Sequence, residues 1–143
     1  MSRARSKARR CAIQALYQLQ VGDSEEAGGL AERFTLAWGL GRADAAYFRE
    51  LVGGVSRRRQ HLNDLIAPEL TRAAGALDPV ERAVLWVGAY ELEFRLDVPY
   101  RVVLNEAVEL AKEFGAEQGH TLVNAVLDRL VARLRPAERT VCQ

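Results

Sequence analysis

Apolar residues recur at helical spacing along most of the chain. Ala12, Ala15, Leu16 and Leu19 fall at i, i+3, i+4 and i+7, one stripe of a first helix that starts inside a basic segment. Gly22 follows its last apolar position. Asp23-Ser24, with Glu25 and Glu26, supplies a cap and an acidic first turn for a second helix reaching about Trp38, where Gly39 and Gly41 end it. From Asp44 the spacing of Phe48, Leu51, Val52 and Val55 continues toward Leu62 as one long third helix with Gly53-Gly54 in its middle. A glycine in a helix interior costs roughly 1 kcal/mol against alanine, so the close approach of another helix is the expected compensation.

Leu65, Ile66 and Pro68 suggest a short helix or turn, and residues 71–76 read as a small-residue connector. Asp78-Pro79 is an N-cap followed by proline at the first helical position. The segment 80–94 is apolar on most sides, which predicts the central, most buried helix. Pro99 opens the next, with Val103, Ala107, Leu110, Ala111 and Phe114 on one stripe and Gly115 as its C-cap. Val123, Val126, Leu127, Leu130, Val131 and Leu134 give a last helix closed by Pro136. No segment alternates at period two between turn dipeptides, so no strand is predicted. The expected fold is all-α, about seven helices in two small antiparallel bundles: an N-terminal subdomain of about 1–75 and a C-terminal one of about 76–143 within a single domain.

Composition adds one thing to that picture, through where the charge lies. The net charge is only +1, but residues 1–10 carry Arg3, Arg5, Lys7, Arg9 and Arg10 with no acid, a local +5 that leaves −4 for the other 133 residues. A basic arm on a mildly acidic body attracts phosphate at one surface and leaves the rest unattracted. A solvated tail would have the same composition. Continuity with a packed helix favours the arm. With 49% hydrophobic and 27% charged residues the chain reads as an ordinary globular protein. No apolar run approaches the ~18–20 residues that cross a bilayer and no signal-peptide pattern opens it, so a cytoplasmic location is expected.

Catalytic and metal chemistry find little support. Cys11 and Cys142 stand far apart without a CxxC, and His61 and His120 have no ligand at metal spacing, so neither a disulfide nor a metal nor another cofactor is expected. Gly39-Leu40-Gly41 lacks the strand-then-helix context of a phosphate loop. Glu106, Glu109 and Glu113 share a helix face, where a solvated or salt-bridged role is the ordinary one. Asn105 and Asn124 sit in apolar-rich helices where asparagine is a poor former; amides bridging the helices are the favoured reading over ligand contact. Arg57-Arg58-Arg59 fan around a helix as a solvated face.

Taken in order, the segments resemble the NusB family. The matching text is Ala8-Arg9 and Cys11-Ala12-Ile13-Gln14-Ala15-Leu16-Tyr17, then Tyr47-Phe48-Arg49-Glu50-Leu51 with Gly54-Val55. It continues with Val80-Glu81-Arg82-Ala83-Val84-Leu85, Tyr90-Glu91-Leu92, Asp97-Val98-Pro99-Tyr100 and Asn105-Glu106-Ala107-Val108-Glu109-Leu110-Ala111-Lys112. Phe114-Gly115-Ala116-Glu117, Val123-Asn124 and Val126-Leu127-Asp128 complete it, so the resemblance spans nearly the whole chain.

That resemblance implies a non-catalytic transcription antitermination factor. It would bind the boxA element of ribosomal RNA transcripts together with NusE, a small-subunit ribosomal protein, and join other Nus factors on RNA polymerase to prevent premature termination. The family's RNA surface carries over to Arg3, Arg5, Lys7, Arg9, Phe114 and Gln118, and its NusE side to Tyr17 and Glu81. Guanidinium groups suit phosphates and an aromatic ring offers a platform for an unstacked base, so single-stranded RNA is the expected ligand; core packing is the competing role for Phe114. Against the family pattern the chain departs at Trp86, Gln118, Thr121, Leu122 and Ala125. Two other readings stand beside this one. One is a helical interaction module without an RNA role, such as a homodimer paired through the same face; the other is the helical domain of an RNA methyltransferase.

Overall fold

The computed structural model describes residues 2–22, 28–73, 76–115 and 118–141, and every regular element among them is helical. Eight helices follow one another: α1 (Arg3–Val21), α2 (Leu30–Trp38), α3 (Ala45–Arg57), α4 (Arg59–Ala73), α5 (Pro79–Phe94), α6 (Tyr100–Phe114), α7 (Gly119–Leu134) and α8 (Pro136–Val141). The cap expected at Asp23-Ser24 and the acidic turn at Glu25 and Glu26 lie outside the described residues. The helix that was to follow them begins at Leu30, after Gly29 at φ 75°, and ends at Gly39, whose φ is 72°.

The long third helix is two helices. At Arg58 the backbone leaves the helical path (φ −115°, ψ 21°), its N–H reaching the carbonyls of Gly54 and Val55 at 3.2 and 3.1 Å, and α4 restarts at Arg59. Leu65, Ile66 and Pro68, read as a short helix or turn, lie inside α4, which runs on to Ala73. A mid-helix proline removes one backbone donor. Here α7 packs along α4, and Arg133 and Arg129 donate to the carbonyls of Leu65 and Glu69 on either side of it, at 3.3 Å each. Gly54 meets the close approach expected of it: a Cβ there would lie 2.6 Å from Cζ of Tyr90, on α5. Gly53 faces only the flexible guanidinium of Arg57.

Helix α5 is the centre of the molecule. Asp78 accepts from the Glu81 N–H at 2.8 Å, the Glu81 carboxylate accepts from the Asp78 N–H at 3.3 Å, and Pro79 takes the first position, closing a capping box. Every residue from Ala83 to Leu92 is buried. α1, α2 and α3 pack together on one side and α4, α6 and α7 on the other, with α5 touching α1, α3, α4, α6 and α7, so one continuous core joins the two groups. Arg135, buried just past α7, donates to the carbonyls of Glu91, Leu92, Arg95 and Val98, tying that end of α7 to the α5–α6 connection. Among the described residues no helix is long and apolar enough to cross a membrane and no cluster of His, Cys, Asp and Glu could hold a metal ion.

Candidate nucleic-acid interface

The basic segment is helix from Arg3 onward. Ser2 caps it, its hydroxyl accepting from the Arg5 N–H at 3.2 Å, and the Asp44 N–H donates to the carbonyl of Ala4 at 2.9 Å, so the start of α1 is tied to the start of α3. A helix gives its five cations different directions. Arg3, Lys7 and Arg10 fall at i, i+4 and i+7 and are all exposed, while Ala8, Ala12 and Ala15 face the core.

Arg9 points inward and is 2% exposed. Its Nε lies 3.0 Å from both oxygens of Glu91, its Nη2 2.9 Å from Glu91 Oε2 and its Nη1 3.4 Å from Glu106, and Tyr47 donates its phenol to the same Glu91 carboxylate. Burial works against the Arg9 charge, but the hydrogen bonds and charge of Glu91 outweigh it and raise its pKa above the ordinary guanidinium value. Burial and the neighbouring Glu91 push the Tyr47 phenol well above its usual range, which keeps it a proton donor. Arg9 therefore leaves the list of RNA-facing cations: a guanidinium enclosed by two carboxylates and a phenol and 2% exposed is out of reach of a phosphate. Arg5 is intermediate. Its guanidinium lies 4.6 Å from the centre of the Tyr47 ring and 3.8 Å from Asp97, with about a third of the side chain (35%) in solvent. Arg95 stacks on the same ring at 4.9 Å, and its hydrogen bonds hold the Asp97 carboxyl down at about 2.

Arg10 takes the place that Arg9 vacates. Its guanidinium stands 5.2 Å from the Phe114 ring centre and pairs with Glu113, which joins the cationic stripe of α1 to the end of α6. Phe114 is half-buried and borders an open groove of about 600 Å³ along α1, with Gln14, Tyr17, Gln18 and Trp38 on its walls. Tyr17 is 39% and Trp38 70% exposed, and Leu36 beside it projects almost wholly into solvent. Gln118 is exposed just before α7, on the rim of a second cleft with Thr121, Arg72 and Arg129.

Glu81, expected to face a partner, is 4% exposed and committed to the capping box of α5; an acid at the third position of a helix serves its own backbone. Asn105 and Asn124 are exposed and do not bridge helices from the interior, because each stands on the solvent side of its helix. Arg58 covers the Phe94 ring at 4.4 Å, and His61 pairs with Glu93 at 2.6 Å, so the second basic cluster is partly engaged with its own surface. The fold thus brings Arg3, Lys7, Arg10 and Phe114 into one strip, continues it along the groove to Tyr17, and leaves Gln118 just before α7. Arg10 could have been found from sequence, since it completes the i, i+4, i+7 series from Arg3. Trp38 could not, because only packing decides that α2 turns it outward.

The sequence profile of the NusB family matches residues 6–132. Transcription antitermination protein NusB of Shewanella halifaxensis is 50% identical over 131 residues, covering 92% of this chain and 96% of that protein; the same protein of Shewanella piezotolerans matches with the same identity and coverage. Among solved structures, antitermination factors NusB and NusE in complex with dsRNA include a chain that superposes with a TM-score of 0.80 at 27% identity, over 93% of this chain and 99% of that one. NusB of T. maritima superposes with a TM-score of 0.76 at 27% identity, over 98% of this chain and 99% of that one.

Proposed function

The chain belongs to the NusB family, and from that premise we propose that it is a transcription antitermination factor that binds boxA RNA of ribosomal RNA transcripts jointly with NusE and so prevents premature termination. The observation that carries this reading is the exposed strip of Arg3, Lys7 and Arg10 ending against the Phe114 ring, on a fold whose solved relative is complexed with NusE and RNA. Cations spaced one helical turn apart suit successive phosphates, and a half-buried ring beside them suits a base splayed from its neighbours. A stacked base must be unpaired, so single-stranded boxA is the expected form; the solved relative was captured with duplex RNA, and both forms belong in the assay. No reaction is catalysed: the protein works by holding RNA and partner together.

In this reading Arg5 and Gln118 flank the RNA path, and the apolar groove from Tyr17 to Trp38 receives NusE, beside the RNA. The assembly works on the RNA polymerase elongation complex with other Nus factors, in the cytoplasm. Self-association through the same strip would bury the cations and compete with RNA.

Replacing Phe114 by alanine tests the stacking. Loss of one base–aromatic contact, worth ~1–3 kcal/mol, is expected to weaken boxA binding about 5- to 150-fold, whereas Phe114→Tyr, which keeps the ring, should bind within about twofold of the unaltered protein. Equal affinity of the alanine variant, measured by fluorescence anisotropy with far-UV circular dichroism to confirm its fold, would return Phe114 to a purely structural role.

A further inference from the structure

Glu81 is a buried acid beside the end of the RNA strip, and its surroundings give it more than the capping box. Its Oε1 accepts from the Asp78 N–H at the start of α5. Its Oε2 lies against both ends of the α6–α7 connection. A Cβ on Gly119 would fall inside the van der Waals shell of that oxygen and 2.8 Å from Cδ of Glu81, and a Cβ on Gly115 would stand 3.6 Å from the same oxygen. Gly119 is itself buried and is the first residue of α7, whose preceding Gln118 makes no side-chain cap. The carboxylate therefore stands beside the first residue of α7, at the end of the helix whose dipole favours negative charge. Phe114 precedes Gly115, and Gln118 precedes Gly119.

We propose that Glu81 is a positioning residue for the neighbouring ends of α6 and α7 at the RNA-binding surface: one buried carboxylate serves the starts of both α5 and α7, and Gly119 is glycine because the carboxylate fills the space of a side chain. Glu81 then acts on RNA by fixing the places of Phe114 and Gln118, without touching the RNA. The proposal rests on the RNA reading above.

Glu81→Gln separates this role from the others, because glutamine also closes a capping box at the third helical position but brings no charge to α7. A positioning role predicts about fivefold weaker boxA binding. The slope of log K against log salt should stay the same, since no cation is lost. A carboxylate that merely stood near the RNA would repel it, and its removal would tighten binding. A carboxylate that touched NusE would alter NusE affinity and leave RNA affinity alone. Tighter or unchanged RNA binding by Glu81→Gln overturns the proposal. The second arm needs no RNA: Gly119→Ala should lower the unfolding midpoint clearly in the unaltered protein and hardly at all in Glu81→Ala, whose side chain no longer fills the space. Equal losses in the two backgrounds also overturn it. Should the unaltered protein fail to bind boxA, the RNA reading falls and the positioning role falls with it, while the steric coupling of Glu81 and Gly119 is still decided by unfolding.

Discussion

Arg9→Ala is expected to lower the unfolding midpoint by about 10–15 °C, the largest effect on stability of any single replacement in the basic segment. Removing one member of a buried ion pair leaves the other charge enclosed without a partner, at a cost of about 3–5 kcal/mol. Near this chain length 1 kcal/mol corresponds to roughly 3 °C. Glu91 would be the stranded charge: it is 1% exposed, and of its present partners only Tyr47 would still donate to it. Arg9→Lys should recover little, because an ammonium cannot reproduce the fork that meets both Glu91 oxygens and reaches toward Glu106. The check is thermal unfolding followed by circular dichroism. A midpoint within about 3 °C of the unaltered protein would mean that Arg9 is not a structural cation.

A second large effect, on binding, is expected from the outward face of the same helix. Arg3→Ala, Lys7→Ala and Arg10→Ala in one protein should weaken boxA binding about 100-fold at low salt, taking each exposed cation as about 1 kcal/mol. Salt dependence is the sharper signature. Three contacts to single-stranded phosphates give the unaltered protein a slope near −2, or roughly a 20-fold loss between 50 and 200 mM salt, and the triple variant should be nearly flat. Counting Arg5 and Arg9 along with Arg3 and Lys7, as the bare sequence invites, would give a steeper slope near −3. A control that replaces the exposed Arg42, Arg49 and Arg57 removes as much charge from another surface. If that control loses affinity equally, net charge and not the α1 strip governs binding.

These two predictions turn on a distinction that the composition of the segment conceals. Five cations within ten residues look equivalent, but Arg9 lies three residues before Ala12 and four before Ile13, on the apolar stripe, and helix phase alone would have sent it inward. What no local pattern could supply was its counter-charge, since Glu91 and Glu106 stand more than 80 positions away. The same division runs through the rest of the molecule. Caps written by neighbouring residues, such as Asp78 with Pro79, were legible, and the Asp78-x-x-Glu81 spacing carried the signal that Glu81 would be occupied at home. The break at Arg58 was not, because the apolar spacing runs through it without interruption and only the geometry of the backbone divides α3 from α4. Pro68 misled in the other direction: proline ordinarily interrupts a helix, and here arginines of α7 reach the carbonyls beside it. Trp38 and the approach of Glu81 to Gly119 depend on how distant helices dock, and no periodicity encodes that.

The α1 strip should attract any RNA, since phosphate contacts carry little sequence information. Choice of boxA must come from the surfaces beside the strip, around Phe114 and Gln118, and from NusE. The most direct measurement is therefore a titration of labelled boxA RNA and of a scrambled RNA of equal length, each with and without NusE at one fixed salt concentration. With NusE present, boxA should bind at least about tenfold tighter than the scrambled RNA, the scale of a single correct base contact, and tighter than it binds in the absence of NusE. Equal binding of the two RNAs in the presence of NusE, or no binding of either, would contradict the assignment of this chain as a boxA-binding antitermination factor.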